Sequence, residues 1–148
     1  MYDEILVPTD GGRKSKRAAE HAIELAAALD ATVHALYVMD FPGAPRTPYI
    51  YGDEDEMKQE YREYGEDVTG EVHEMAAAAD VECVTAIRQG SIHEGIINYA
   101  EREGVDLIVM VSGYRGRFGG ILGTITERVV RGATVPVTSF RTGQVKRS

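Results

Sequence analysis

The stretch of the chain with the most chemical potential runs from Ser112 to Thr124, SGYRGRFGGILGT, where five glycines fall within thirteen positions. Glycine lets backbone amides approach an anion closely, and a helix beginning near Thr124 aims its unsatisfied N–H groups and positive dipole end at the same place. Phosphate suits that combination. Arg115 and Arg117 can add charge-assisted contacts, and the Thr124 hydroxyl can bond a phosphate oxygen or cap the helix. The competing reading is a flexible connection leading into a capped helix. No Gly-Lys-Ser or Gly-Lys-Thr triplet is present and the glycine spacing is not that of a dinucleotide-binding turn, which argues against P-loop hydrolysis and nicotinamide redox chemistry. Asp10, in VPTDGG, is a second candidate, because its carboxylate can accept a ribose hydroxyl or bond its own turn. Val38, at the end of an apolar run, can offer backbone groups to the edge of a base.

Hydrolytic chemistry needs a nucleophile with a base and an orienting acid, or clustered metal ligands, and the sequence pattern supplies neither. His21, His34, His73 and His93 are dispersed and read as structural; no H-E-x-x-H or C-x-x-C spacing occurs. Binding is therefore expected in place of turnover, with slow hydrolysis of a bound nucleotide as the most that catalysis would amount to. Cys83 is the single cysteine, so an internal disulfide is impossible; within VECVTAI it reads as a small buried side chain.

These candidates need elements to position them. EILVP (4–8) is a short buried strand running into a TDGG turn. From Lys14 to Leu29, Ala19, Ala22, Ile23, Ala26 and Leu29 recur at helical intervals, and TVHALYV (32–38) is apolar on both faces, like a strand covered on both sides. The segment 41–52 holds three of the five prolines and reads as a loop. Met57, Tyr61, Tyr64, Val68, Val72, Met75 and Ala79 then form one helical stripe, with the tyrosines as half-buried packing. Gly65 and Gly70 lie off that stripe, each weakening the helix by about 1 kcal/mol. VECVTAI (81–87) reads as a third strand. Ser91 and Glu94 have capping-box spacing for a helix that Gly104 would stop, VDLIVMV (105–111) as a central strand, and Thr124 and Glu127 repeat the capping box before a helix ending near Gly132. VPVTSF closes the pattern as an edge strand. Alternating strands and helices of this kind make an α/β fold, an open doubly wound five-stranded parallel sheet with helices on both faces; its ligands bind beyond the carboxyl ends of the strands.

With 148 residues, 43% of them hydrophobic, the chain is expected to form a single domain over 1–148. A formal net charge of -8 disfavours nucleic acid and anionic lipid as partners. No apolar run has membrane-spanning length and no basic, apolar leader opens the chain, so a cytoplasmic location is expected. Only Lys14, Lys16, Lys58 and Lys146 are lysines among sixteen basic residues, a bias consistent with a salt-adapted acidic surface.

On ILVPTDGGRKSKRAAEHAIELAAALDATVHALYVMD and DLIVMVSGYRGRFGGILGTITERVVRGATVPV, the chain resembles the universal stress protein family over nearly its whole length. The resemblance implies an adenine nucleotide alpha hydrolase-like fold, strand order 3-2-1-4-5, and a homodimer formed through the last strand. It further implies a stress-response sensor or regulator holding ATP or a related adenine nucleotide, with Mg2+ accompanying a triphosphate. Nucleotide-binding members carry G-x2-G-x9-G-[ST]; here Gly113 and Gly116 match the first pair, Gly123 and Thr124 the second. Six residues separate Gly116 from Gly123 where the pattern has nine, and Val111 stands where members usually have glycine. By the same comparison Pro8, Thr9 and Asp10 match the nucleotide-facing first turn, Val38 the residue that meets adenine by its backbone, Met110 a pocket-lining residue, and Ile125 the residue after the phosphate-binding pair. The shortened loop keeps a second reading open: a universal stress protein that binds no nucleotide and serves as a dimeric interaction module for a protein partner not identified by the sequence.

Overall fold

The computed structural model describes residues 2–40, 53–114 and 124–141. In chain order they form β1 (Glu4–Pro8), α1 (Arg13–Leu29), β2 (Thr32–Met39), α2 (Asp53–Ala78), β3 (Cys83–Gln89), α3 (Ile92–Arg102), β4 (Leu107–Val111), α4 (Ile125–Gly132) and β5 (Val137–Phe140). All neighbouring strands pair in parallel, in the order β3-β2-β1-β4-β5. α1 packs against α2, and α3 against α4, giving a helical layer on each face. The fold class and strand order are those expected.

Burial follows position in the sheet. β1, β2 and β4 are buried almost throughout, which explains their unbroken apolar runs, whereas the edge strands β3 and β5 are partly exposed. β3 begins and ends two residues later than the sequence pattern suggests. Asp80 takes a left-handed φ of 62° and the Val81 N–H returns to the Ala76 carbonyl, so Val81 still belongs to the end of α2. Arg88 and Gln89, polar and exposed, nonetheless pair with Val38 and Met39 because an edge strand can keep polar residues on its open side.

Two further expectations change. Gly65 is buried, and a Cβ there would stand 2.5 Å from Tyr37 Cδ2, so this glycine lets α2 approach β2. Ser91 precedes α3, but its hydroxyl meets His93 Nδ1 at 3.2 Å and makes no cap bond to the helix. At the second such spacing the N-cap forms: Thr124 Oγ1 accepts from the Glu127 N–H at 3.2 Å. Gly104, at φ +69°, follows α3 as expected.

A proline can end a central strand here for a geometric reason. The Thr9 N–H bonds the Leu36 carbonyl on the β2 side, so the missing N–H of Pro8 falls on the β4 side, where β1–β4 pairing has already stopped at Leu6 and Ile108. No ladder bond is lost. β2 meanwhile runs on to Met39, leaving a crevice beyond the end of β1 at the point where strand order reverses.

Candidate functional site

The floor of that crevice is the turn after β1. Thr9 is buried, and its Oγ1 accepts from the Gly11 N–H at 3.3 Å. Asp10 Oδ1 accepts from the Gly12 N–H at 2.9 Å and from Ser15 Oγ at 2.7 Å, while the Tyr64 hydroxyl donates to the Asp10 carbonyl at 2.5 Å. Gly11, at φ +85°, supplies the left-handed step the turn requires. One carboxylate oxygen of Asp10 is thus committed to the turn. The other, Oδ2, takes no hydrogen bond among the described residues.

The wall is β2. Since the Leu36 carbonyl faces β1, the N–H and C=O of Val38, two residues on, point the same way, into the gap past Pro8. The Val38 side chain lies against α3, where a Cβ on Gly95 would be 3.0 Å from both of its γ-carbons. The Val38 side chain is thus turned away from the gap, and its backbone groups alone face it. Met110 is fully buried and Val111 nearly so, which leaves their side chains little or no surface for a ligand.

At the end of β4, Gly113 takes φ +84°. Tyr114 then turns inward: its N–H donates to Thr126 Oγ1 at 3.0 Å, and its carbonyl accepts from the Ile125 N–H at 2.9 Å. Thr126 Oγ1 also donates to the Val111 carbonyl at 2.8 Å, fastening α4 to the strand end. In the first turn of α4, the N–H groups of Ile125 and Glu127 are therefore already used, leaving that of Thr126 for an anion. An open groove of about 550 Å³ beside this cap brings together Ser112, Gly113, Thr124, Thr126 and Ser139. Gly116, Gly123, Arg115 and Arg117 lie outside the described residues. A larger groove of about 690 Å³ lies away from the crevice, along β3 between α2 and α3.

Burial, and then the electrostatic influence of Asp10, Tyr37 and Tyr64, hold the Tyr114 phenol well above its ordinary pKa. Cys83 is half-buried on the edge strand, not enclosed in the core, and desolvation pushes its thiol up to about 11. His34 is structural: Nδ1 meets the Tyr99 hydroxyl at 2.7 Å and Nε2 meets Glu4 Oε1 at 2.6 Å. Sequence reasoning missed Ser15, Tyr64, Tyr114 and Thr126 as parts of the site. Ser15 stands five residues after Asp10 at the start of α1, a spacing that could have revealed it; the contacts of Tyr64 and Tyr114 depend on tertiary packing.

Residues 1–141 match the model of the universal stress protein family. A universal stress protein of Methanocaldococcus jannaschii is 36% identical over 141 residues, covering 93% of this chain and 81% of its own length. YxiE of Bacillus subtilis, also a universal stress protein, is 30% identical, covering 95% of this chain and all of its own. Among solved structures, the universal stress protein UspA of Lactobacillus plantarum superposes with TM-score 0.80 at 26% identity, over 93% of this chain and 97% of that one. Two more distant structures share the fold: a universal stress protein in complex with cAMP (TM-score 0.74, 23% identity, 96% and 99% covered) and one from Arabidopsis thaliana with AMP bound (0.70, 21%, 95% and 92%). With its sheet order, its first turn and these matches in agreement, the chain belongs to the universal stress protein family.

Proposed function

We propose that this protein binds ATP or a related adenine nucleotide in the crevice beyond β1 and acts as a stress-response sensor or regulator, with binding in place of turnover. The observation that carries the reading is the early stop of β1 at Pro8, which points the Val38 N–H and C=O into the gap beside the unbonded Oδ2 of Asp10. A planar base with adjacent donor and acceptor groups fits the first, and a sugar hydroxyl fits the second. The cAMP and AMP complexes of two structures with the same fold support it. In this reading Pro8 and Thr9 shape the turn, Asp10 orients the ribose, Val38 holds the base and Met110 backs the pocket. Gly113, Gly116, Gly123, Thr124 and Ile125 surround the phosphates, with Mg2+ beside a triphosphate. The protein is a single-domain, cytoplasmic homodimer closed through β5; no helix among the described residues is long and apolar enough to cross a membrane.

The test denatures one portion of the purified protein to identify any co-purified small molecule, and then titrates the emptied, folded protein calorimetrically with ATP, AMP and cAMP. Micromolar or tighter binding, equivalent to about 8 kcal/mol, is expected, with Asp10→Asn weakening it about tenfold. Absence of binding heat with all three nucleotides, with and without Mg2+, would leave the second reading, the dimeric interaction module. One observation favours that reading: the Thr124 hydroxyl and two N–H groups of the α4 first turn are already occupied within the protein.

A further inference from the structure

β3 is an edge strand whose outer side carries open backbone groups. The Val33 N–H bonds the Glu82 carbonyl and the Gly90 N–H bonds the Met39 carbonyl, so the even-numbered residues of this segment spend their backbone groups on β2. Those of Cys83, Thr85, Ile87 and Gln89 point away from the sheet. Among the described residues only one of these groups is engaged: the Ile87 carbonyl accepts from Arg88 Nη1 at 3.0 Å. Natural edges are commonly blunted by proline or lysine, and β3 has neither. The same strand lines the groove of about 690 Å³ that α2 and α3 wall. Alternation sends Ile87 toward α2, where a Cβ on Gly65 would meet it at 3.2 Å, and Arg88 toward α3, where its guanidinium lies 5.1 Å from the centre of the Tyr99 ring. Val84 and Ala86 share the α3 side with Arg88, and Val84 is 42% exposed. On the α2 side Gly70 leaves space, since a Cβ there meets nothing within 4 Å. The charges on the walls are sorted by sign. Because α2 and α3 run antiparallel to β3, Arg62 and Arg88 stand at the carboxyl end of the groove and Glu74 and Glu103 at its amino end, with Glu66 and His73 between. None of the four end residues is in an ion pair among the described residues.

We propose that β3 is a docking edge for an extended segment of a partner protein, which adds antiparallel as a sixth strand with an acidic side chain at its amino end against Arg88 and a basic one at its carboxyl end against Glu74. Main-chain bonds to Cys83, Thr85 and Ile87 supply the affinity, and the sorted charges set direction and register. The antiparallel direction is the more stable pairing per residue. The incoming carboxylate draws the Arg88 guanidinium off the Ile87 carbonyl, which is then free to accept a peptide N–H. Apolar side chains at alternate positions cover Ala86 and Val84.

The test is fluorescence anisotropy with a labelled, end-capped hexapeptide reading glutamate, threonine, valine, threonine, valine, lysine. Laid antiparallel from Arg88 to Cys83, it sets glutamate against Arg88, its valines against Ala86 and Val84, and its threonine N–H groups on the open edge. Binding at about 100 μM or tighter is expected. N-methylation of both threonines is expected to weaken it at least about tenfold, because the donors to the edge are gone. Exchanging the glutamate and lysine, or Arg88→Ala, is expected to weaken it at least about fivefold, and Gly70→Leu to abolish it by filling the groove while the melting temperature is kept. No binding of the hexapeptide up to about 1 mM overturns the proposal, as does equal binding of the N-methylated or the charge-exchanged peptide, or unchanged binding by Gly70→Leu. Tighter binding by Arg88→Ala also overturns it, by showing that Arg88 guards the edge against pairing. A Ser139→Pro protein that still dimerises, and ceases to when Gly70→Leu is added, gives the edge to a second copy of this chain and overturns the peptide reading.

Discussion

Asp10 commits one of its two carboxylate oxygens to folding and keeps the other open. The sequence left a turn aspartate and a ribose acceptor as equal alternatives, and the geometry accommodates both: Oδ1 closes the turn with Gly12 and Ser15, and Oδ2 stays open. Its position at the end of an apolar run was legible; the bonds by which Thr126 ties Tyr114 and Val111 to α4 were not, because they depend on how β4 and α4 meet. Cys83 shows the opposite limit. Its run of neighbours looks like core, but the strand lies at the sheet edge, and a residue's place in the sheet order is a property of the whole chain. With the thiol pushed up to about 11 it stays protonated at neutral pH. At pH 8 its alkylation is expected to be about a hundredfold slower than that of a free cysteine, rising as the pH approaches 11. Following iodoacetamide incorporation by mass spectrometry checks this; a rate equal to free cysteine would show an exposed thiol. Because the folded thiol titrates above its ordinary value of 9.0, its contribution to stability is complete below pH 9 and is lost as the pH rises through about 11.

Among the elements, α2 carries two glycines that its hydrophobic stripe treats alike and the structure separates. At Gly70 an added Cβ meets nothing within 4 Å; at Gly65 it would meet Tyr37 Cδ2 at 2.5 Å and Ile87 Cδ1 at 3.2 Å. Substitution by alanine should therefore act with opposite sign. Gly70→Ala is expected to stabilise by about 0.5–1 kcal/mol through helix propensity, and Gly65→Ala to destabilise by about 1–3 kcal/mol through overpacking. Urea unfolding of both variants decides it, and two effects of the same sign would mean that α2 does not sit as closely on Tyr37 as described. The period of the stripe located the helix, since Val68 and Val72 are buried. It could not show that Gly65, Thr69 and Ala76 widen the contact, because how deeply a helix settles depends on the strands beneath it. β1, β2 and β4 were readable for a related reason: each is buried by layers on both sides, so its composition alone reports its place, while α1 was readable from the helical period of its one buried face.

At the scale of the molecule the sheet leaves two unlike edges, seven residues of β3 and four of β5. In β5 the Phe140 carbonyl accepts from the Ser112 N–H, and that of Pro136 from Ile108, so the even-numbered residues face β4 and Val137 and Ser139 face outward. Proline at Ser139 would remove an N–H from the open side alone. If the homodimer closes through β5, Ser139→Pro is expected to turn it into a monomer while leaving the β4 pairing intact, as light scattering coupled to gel filtration would report; a dimer that survives places the interface elsewhere. A two-fold axis that pairs β5 with itself runs the copies antiparallel and joins their sheets into one. The crevice past Pro8 belongs to the carboxyl rim of its own sheet, so in such an assembly the two crevices open toward opposite poles. The described residues of one copy then stand apart from the crevice of the other. Among them, the route that joins the two crevices is the shared sheet, from the Thr126 clamp on Val111 through β4 and across the seam.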